Sequence, residues 1–252
     1  MAEISSDEFD LDSVLSKYVV KPVASAKPEL LMFYSPPGSG KTWLAASASE
    51  LPGVKKVLYL DIEGSTVGTL GSFDPKKIDI IEVYKHPDPF AFANTVLTKL
   101  GDPTAKHSYD VVVIDTFDTL QDLSIKAFDS SDGWEMWRDV KDWSTDIAKM
   151  LKRIAPLGIL VVHDREEKSE SGAVVARLRL AGAAKDILPG IPDVVAYLER
   201  KIDKEDGEVH TYAYFENSNK KVTKNRFGFP PIVKDVTLVN LWKYIDKKGE
   251  GK

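Results

Sequence analysis

A lysine and a threonine side by side behind a glycine-rich turn form a combination that holds phosphate. In "FYSPPGSGKTW", residues 33–43, Gly40, Lys41 and Thr42 fill the last three places of G-x-x-x-x-G-K-[ST], and Gly38 adds a second flexible point. Each residue type has a task. Backbone N–H groups at the start of the following helix face an anion, and the helix dipole adds partial positive charge there. Lys41 reaches the β- and γ-phosphates of a nucleoside triphosphate, and the Thr42 hydroxyl takes a position on Mg²⁺. Pro37, Gly38, Ser39, Gly40, Lys41, Thr42 and Trp43 are the candidate ATP-contacting stretch. The opening glycine of the pattern is absent, and Ser35 in its place is expected to restrict the loop at its first turn.

Hydrolysis further needs a carboxylate for the metal and a base for water. In "YDVVVIDTFDTL" an apolar run leads to Asp115 at a strand end, where a carboxylate holds Mg²⁺, often through water, so Thr42 and Asp115 are the candidate metal residues. Thr116 follows, at the place where AAA+ ATPases usually carry a catalytic glutamate. The base must come from elsewhere, and "VLYLDIEG" supplies Glu63 at the end of the strand after the phosphate loop. In a parallel sheet the strand carboxyl ends gather along one edge, which brings Glu63 towards Lys41 and Asp115 to orient and deprotonate the attacking water. Asp61 is the rival base. Alternation along the strand puts both carboxylates on one side, so spacing leaves the two open.

These residues need a sheet to gather them. The apolar runs "ELLMFY", "KVLYL", "IDIIEV", "YDVVVID" and "GILVVH" read as buried parallel strands, with helical stretches near 41–51, 88–100, 118–128 and 134–153. That alternation predicts an α/β doubly wound core with helices on both faces. After residue 172 the segments "AVVARLRL", "DVVAYLER" and "EVHTYAYFEN" read as antiparallel strands extending the sheet, before a closing helix in "VTLVNLWKYIDKK". Residues 1–28, acidic and then proline-bearing, read as a flexible arm, which leaves 29–252 as one domain. A length of 252 residues with 43% hydrophobic content suits a single domain of this kind. The formal net charge of −5 excludes a protein that coats nucleic acid by bulk positive charge. Without cysteine there is no disulfide, thiolate nucleophile or cysteine-held zinc. The acidic, polar start carries no secretory signal and no apolar run approaches a membrane span, so the expectation is a cytoplasmic protein with no membrane partner.

A phosphate loop, then D-x-E-G after the next strand, then an apolar run ending in aspartate, is the order of the RecA-type ATPase core. The sequence resembles that family over residues 29 to about 232. "GILVVHD" places His163 where RecA-type proteins carry a polar residue that senses the γ-phosphate, and "KVTKNRFG" is similar to the signature segment of bacterial RadA. The ending "KNRFGFPP" looks most like phage-encoded RecA-like ATPases of the Sak-type recombination group. The resemblance implies a RecA-like P-loop NTPase core and a Mg²⁺-dependent, DNA-stimulated ATPase. It would act on single-stranded DNA in phage recombination, annealing or repair, in the host cytoplasm. A homo-oligomeric ring or filament is also implied, with a phage single-strand-binding protein as a further partner. Lys224 and Arg226 would then act on the neighbouring subunit's nucleotide. Two residues apart on an extended segment, they point to one side and could clamp phosphate charge together.

In RecA-like proteins the loops after the strands ending at Asp115 and His163 face the polymer, here residues near 128–138 and 164–185. The second carries Arg165, Lys168, Arg177, Arg179 and Lys185, nearly balanced by Asp164, Glu166, Glu167 and Glu170. Trp134 and Trp137 suit stacking on bases, yet their spacing, continued by Trp143, makes an ordinary buried helix face, which is the expectation. Two other function classes stand beside the ATPase. One is a small-molecule kinase using "RLRLAGAAKD" as a lid; the other is a nucleotide-switched interaction module in which Glu63 is dispensable.

Overall fold

The apolar runs form the strands β1 (Leu30–Ser35), β2 (Val57–Asp61), β3 (Ile78–Glu82), β4 (Val111–Asp115) and β5 (Leu157–Lys168) in a computed structural model. It describes residues 27–129, 133–168, 172, 174–218 and 220–250, the last four by backbone only. The arm expected over residues 1–28 lies outside the described residues as far as residue 26. Every residue of β1, β2 and β4 is buried, because helices cover both faces of the sheet. The helices are α1 (Lys41–Ala46, continued by a 3₁₀ turn over Ser47–Glu50), α2 (Thr66–Leu70), α3 (Pro89–Leu100), α4 (Phe117–Phe128), α5 (Gly133–Ile154), α6 (Ala184–Ile187) and α7 (Leu238–Glu250). Local chemistry fixes where they begin. Asp88 caps α3 by accepting the Ala91 N–H at 3.0 Å, and Pro89 opens the first turn with its preset φ.

The remaining strands are β6 (Val174–Leu178), β7 (Val194–Ile202), β8 (Val209–Tyr214), β9 (Lys224–Asn225) and β10 (Ile232–Lys234). The sheet runs β10-β8-β7-β1-β5-β4-β2-β3, with β6 on β5 and β9 on β7. From β3 across to β7 all neighbours are parallel. Here one expectation is corrected: "DVVAYLER" runs parallel beside β1, with Leu31 opposite Val194, and antiparallel to β8 and to the short β9. The reason lies in its first five residues, Val194–Leu198, which are all buried, as a strand covered on both faces must be. Its polar half extends beyond β1 and pairs with β8 alone. A second correction concerns residues 164–168, the start of the 164–185 stretch expected as a loop, whereas the antiparallel strand expected in "AVVARLRL" is β6. β5 continues past His163, and its residues Asp164–Lys168 form an antiparallel hairpin with β6.

Alternate strand residues enter opposite layers of the core. Leu31, Phe33, Tyr59, Val113 and Val161 pack with Leu44 of α1 and with Leu241, Trp242 and Ile245 of α7. Met32, Tyr34, Leu60, Ile114 and Val162 pack with Leu97, Phe117 and Leu151 of α3, α4 and α5. Full burial of each such side chain contributes about 1.5–3 kcal/mol, so the central strands hold their carboxyl ends in a fixed register. Among the described residues, no helix is long and apolar enough to cross a membrane.

Candidate active site

The phosphate loop leaves the carboxyl end of β1 at the centre of the sheet. Gly38 (φ +78°) and Gly40 (φ +90°) both occupy the left-handed region, where a side chain would be strained. Ser35 does not. It is the last residue of β1, fully buried and paired in register with His163, so the turn begins after it and the first pattern position has no need of glycine. The restriction expected from Ser35 is therefore absent. Lys41 is buried, and its Nζ donates to the carbonyl oxygens of Ser35 (2.8 Å) and Pro36 (3.0 Å). Burial lowers the lysine's pKa, while Asp115, Asp118, Asp164 and Glu63 act in the opposite direction.

Asp115 and Asp61 end adjacent strands in register, but their environments differ. Asp115 is buried and hydrogen-bonded to Thr42, and its Oδ2 has no partner among the described residues. Burial pushes its carboxyl up to about 6, opposed by Thr42 and Lys41 and reinforced by Asp61 and Glu63. A shielded, unpartnered carboxylate oxygen beside a hydroxyl suits a hard divalent cation such as Mg²⁺. Asp61 is engaged by its own turn. Its Oδ1 accepts the N–H groups of Glu63 (3.3 Å) and Gly64 (2.8 Å), and its Oδ2 accepts that of Thr66 (3.3 Å). Glu63 instead presents its carboxylate to a cavity of about 880 Å³, held there by the Thr116 hydroxyl at 2.9 Å and by the Thr119 hydroxyl. The parity argument for Asp61 and Glu63 breaks down because β2 stops at Asp61 and the chain turns away.

That cavity is lined by Pro37, Gly38, Gly40, Lys41, Thr42, Trp43, Glu63, Asp115 and His163, while Ser39 is buried within the loop. Its further lining includes Arg200, Thr211 and Asp235, from β7, β8 and the turn after β10, residues that carry no motif in the sequence. His163 Nδ1 lies 3.1 Å from Asp118 Oδ2 and 3.8 Å from Glu63 Oε1. The hydrogen bond to Asp118 raises the imidazole's pKa, against desolvation and Lys41. Asp118 was accessible only as the second acid of "DTFD", three residues after Asp115 in the first turn of α4.

Lys224 and Arg226 are not brought to this cavity. β9 pairs with the first residues of β7, beside the amino end of β1, and β1 separates that edge from the phosphate loop by roughly 16 Å of strand. Lys224 Nζ donates to the Gly190 carbonyl, and the half-exposed Arg226 pairs with Asp193 at 3.2 Å. The tryptophans also divide. Trp143, partly buried, stacks on Phe117 against the core, Trp137 covers Gly182 while 41% exposed, and Trp134 is 88% exposed, so the buried-face expectation holds for Trp143 alone and fails for Trp134 and Trp137. The proposed lid segment lies elsewhere: Arg179 is paired with Asp118 and Asp122, and Arg177 lines a separate cavity beside the β5–β6 hairpin.

A family model described as an AAA domain, AAA_24, matches residues 27–227. The chain belongs to this AAA-domain family. Membership makes it a P-loop ATPase domain and a nucleotide binder, and the glycine loop, Lys41 and Thr42 lie inside the matched span. Its fold is RecA-like. The crystal structure of the RadB recombinase is similar at a TM-score of 0.50 and 17% identity, covering 82% of this chain and 86% of that one. The flagellar accessory protein FlaH from Methanocaldococcus jannaschii is similar at a TM-score of 0.45 and 16% identity, covering 81% and 83%. No curated protein matches the sequence.

Proposed function

We propose that this AAA-domain protein is a Mg²⁺-dependent ATPase in which Lys41 binds the β- and γ-phosphates, Thr42 and Asp115 hold the metal, Glu63 is the general base and His163 faces the γ-phosphate. One observation carries the reading: the Glu63 carboxylate is fixed by Thr116 and Thr119 at the cavity that Lys41 and Asp115 line, while Asp61 is spent on its own turn. In the reaction a water oxygen bonds the γ-phosphorus as the bond from that phosphorus to the β–γ bridging oxygen breaks. The water proton passes to Glu63, and ADP leaves with the bridging oxygen. Mg²⁺, when bound, supplies charge neutralisation on the phosphate oxygens.

The site is completed between subunits of a ring or filament by Lys224 and Arg226. Their place at the opposite sheet edge supports this, since it keeps both away from their own subunit's cavity. The polymer is single-stranded DNA, handled in phage recombination, annealing or repair within the host cytoplasm, with a phage single-strand-binding protein as partner. Support comes from the resemblance of "KNRFGFPP" to Sak-type proteins and from the exposed Trp134, which offers an aromatic face to a base. Phosphate release from ATP and Mg²⁺, with and without single-stranded DNA, tests both parts. Stimulated release that weakens with salt is expected. Absence of release rejects the ATPase, and release indifferent to DNA, with no DNA bound, rejects the polymer.

A further inference from the structure

A carboxylate that this hydrolytic scheme leaves unused lies directly behind the cleft. Asp118 is fully shielded from solvent, and both of its oxygens are taken. Oδ1 accepts the backbone N–H of His163 at 3.0 Å, and Oδ2 accepts from His163 Nδ1 and from Arg179 Nη1, each at 3.1 Å. A carboxylate only accepts, so Nδ1 carries the proton and Nε2 is the nitrogen left for the cavity that His163 lines. Arg179, just beyond β6, also donates its backbone N–H to the His163 carbonyl at 2.8 Å and its Nη2 to Asp122 at 2.7 Å. One buried acid thus joins the histidine to the return strand of the hairpin, with Glu63 Oε1 3.8 Å from the same Nδ1.

We propose that Asp118 is a positioning residue of the hydrolytic site, holding His163 so that Nε2 faces the cleft as a hydrogen-bond donor to the transferring phosphoryl group. It acts through His163 and touches no substrate; the proposal rests on the ATPase reading of the cleft. A carboxylate behind an imidazole fixes the ring's direction and tautomer and favours the imidazolium. Only the imidazolium donates from both nitrogens, as it must to keep Asp118 and serve an anionic oxygen together. The charged groups around the ring are Asp118 with Asp122 behind Arg179, Glu63 from the turn after β2, Lys41 from α1 and Arg179 itself. The Asp118 hydrogen bond dominates and raises the imidazole's pKa, so hydrolysis is fastest below the His163 titration and declines as pH rises through it.

Two readouts on the full chain test this. In histidine-labelled protein the 4 histidines are titrated by NMR, His163 being assigned with His163→Gln. Asp118→Asn is expected to move the His163 titration to lower pH, because the paired negative charge is gone. Arg179→Gln is expected to move it to higher pH, because the cation beside that charge is gone. These shifts report the charge pairing around the ring; the readout that a merely structural acid would not move is the pH dependence of kcat. In phosphate release, Asp118→Asn should lower kcat about 10- to 100-fold at alkaline pH with little change in KM for ATP, and the deficit should shrink as the solution is acidified. A His163 titration unmoved in folded Asp118→Asn, or a deficit equal at every pH, overturns the proposal. Should Asp118→Asn fail to fold, an unmoved titration in Arg179→Gln overturns it instead. Wild-type protein that releases no phosphate at any pH overturns the ATPase reading itself, a result distinct from an active wild type with an unmoved histidine.

Discussion

Replacing Asp115 with asparagine should stabilise the nucleotide-free protein and spoil its use of Mg²⁺. Burial to 3% exposure is the main reason the Asp115 carboxyl rises from 3.8 to about 6. Since the folded value lies above the unfolded one, the stability linked to this proton is fully present below 3.8 and is lost as pH rises through about 6. At 1.36 kcal/mol per pH unit, the rise amounts to roughly 3 kcal/mol by neutral pH. Asparagine keeps the shape and an acceptor for Thr42 without the charge. Asp115→Asn should therefore gain most of that stability at neutral pH and almost none in acid. For a chain of 252 residues this is about 6–12 °C in Tm. The assay is thermal unfolding of both proteins across a pH series, without nucleotide or metal. Saturating ATP with Mg²⁺ should then favour the wild type, because a ligand of the folded state stabilises in proportion to its affinity. A variant that melts lower throughout, or a gap independent of pH, would refute the reasoning.

Ser35→Gly restores the missing pattern residue, yet in a buried strand position it should lower stability by about 0.5–1 kcal/mol and leave ATP affinity unchanged; a clear rise in affinity by calorimetry would show that the serine does restrict the loop. Gly40→Ala should cost about 1–2 kcal/mol through its backbone alone and weaken nucleotide binding, since an added Cβ meets nothing nearer than Thr211 Oγ1 at 3.7 Å. Wild-type affinity and Tm in that variant would contradict it. Arg226→Ala and Glu63→Gln should each turn over slowly, and mixing them should restore part of the wild-type rate by pairing intact residues across a subunit boundary. Mixed assemblies, verified by mass, that stay inactive at every ratio would remove the trans role.

The phosphate loop and the strands β1, β2 and β4 are legible in the sequence because burial on both faces writes a continuous apolar run, and each run ends where the chemistry begins. Features that depend on distant pairing are not. Asp118 meets His163 and Arg179 across 45 and 61 positions, and no local pattern marks it. Asp61 and Glu63 look equivalent under strand alternation, and only the turn that follows β2 gives one its backbone partners and the other the cavity. The direction of β7 depends on a crossover that returns the chain to the amino end of β1, which leaves Asp193 accepting the Glu29 and Leu30 N–H groups. Trp134 and Trp143 share one helix, but the sequence does not reveal that Trp143 has Phe90 and Phe117 to pack on while Trp134 stands in solvent.

The central claim, that Glu63 activates water above a Lys41–Thr42–Asp115 phosphate and metal site, is met most directly by measuring ATP binding and single-turnover hydrolysis of Glu63→Gln beside the wild type. The expected result is near-wild-type Kd for ATP with Mg²⁺ and hydrolysis slowed about 10²- to 10⁴-fold, the contribution typical of a general base. Hydrolysis by Glu63→Gln at the wild-type rate, with ATP bound, would contradict the account.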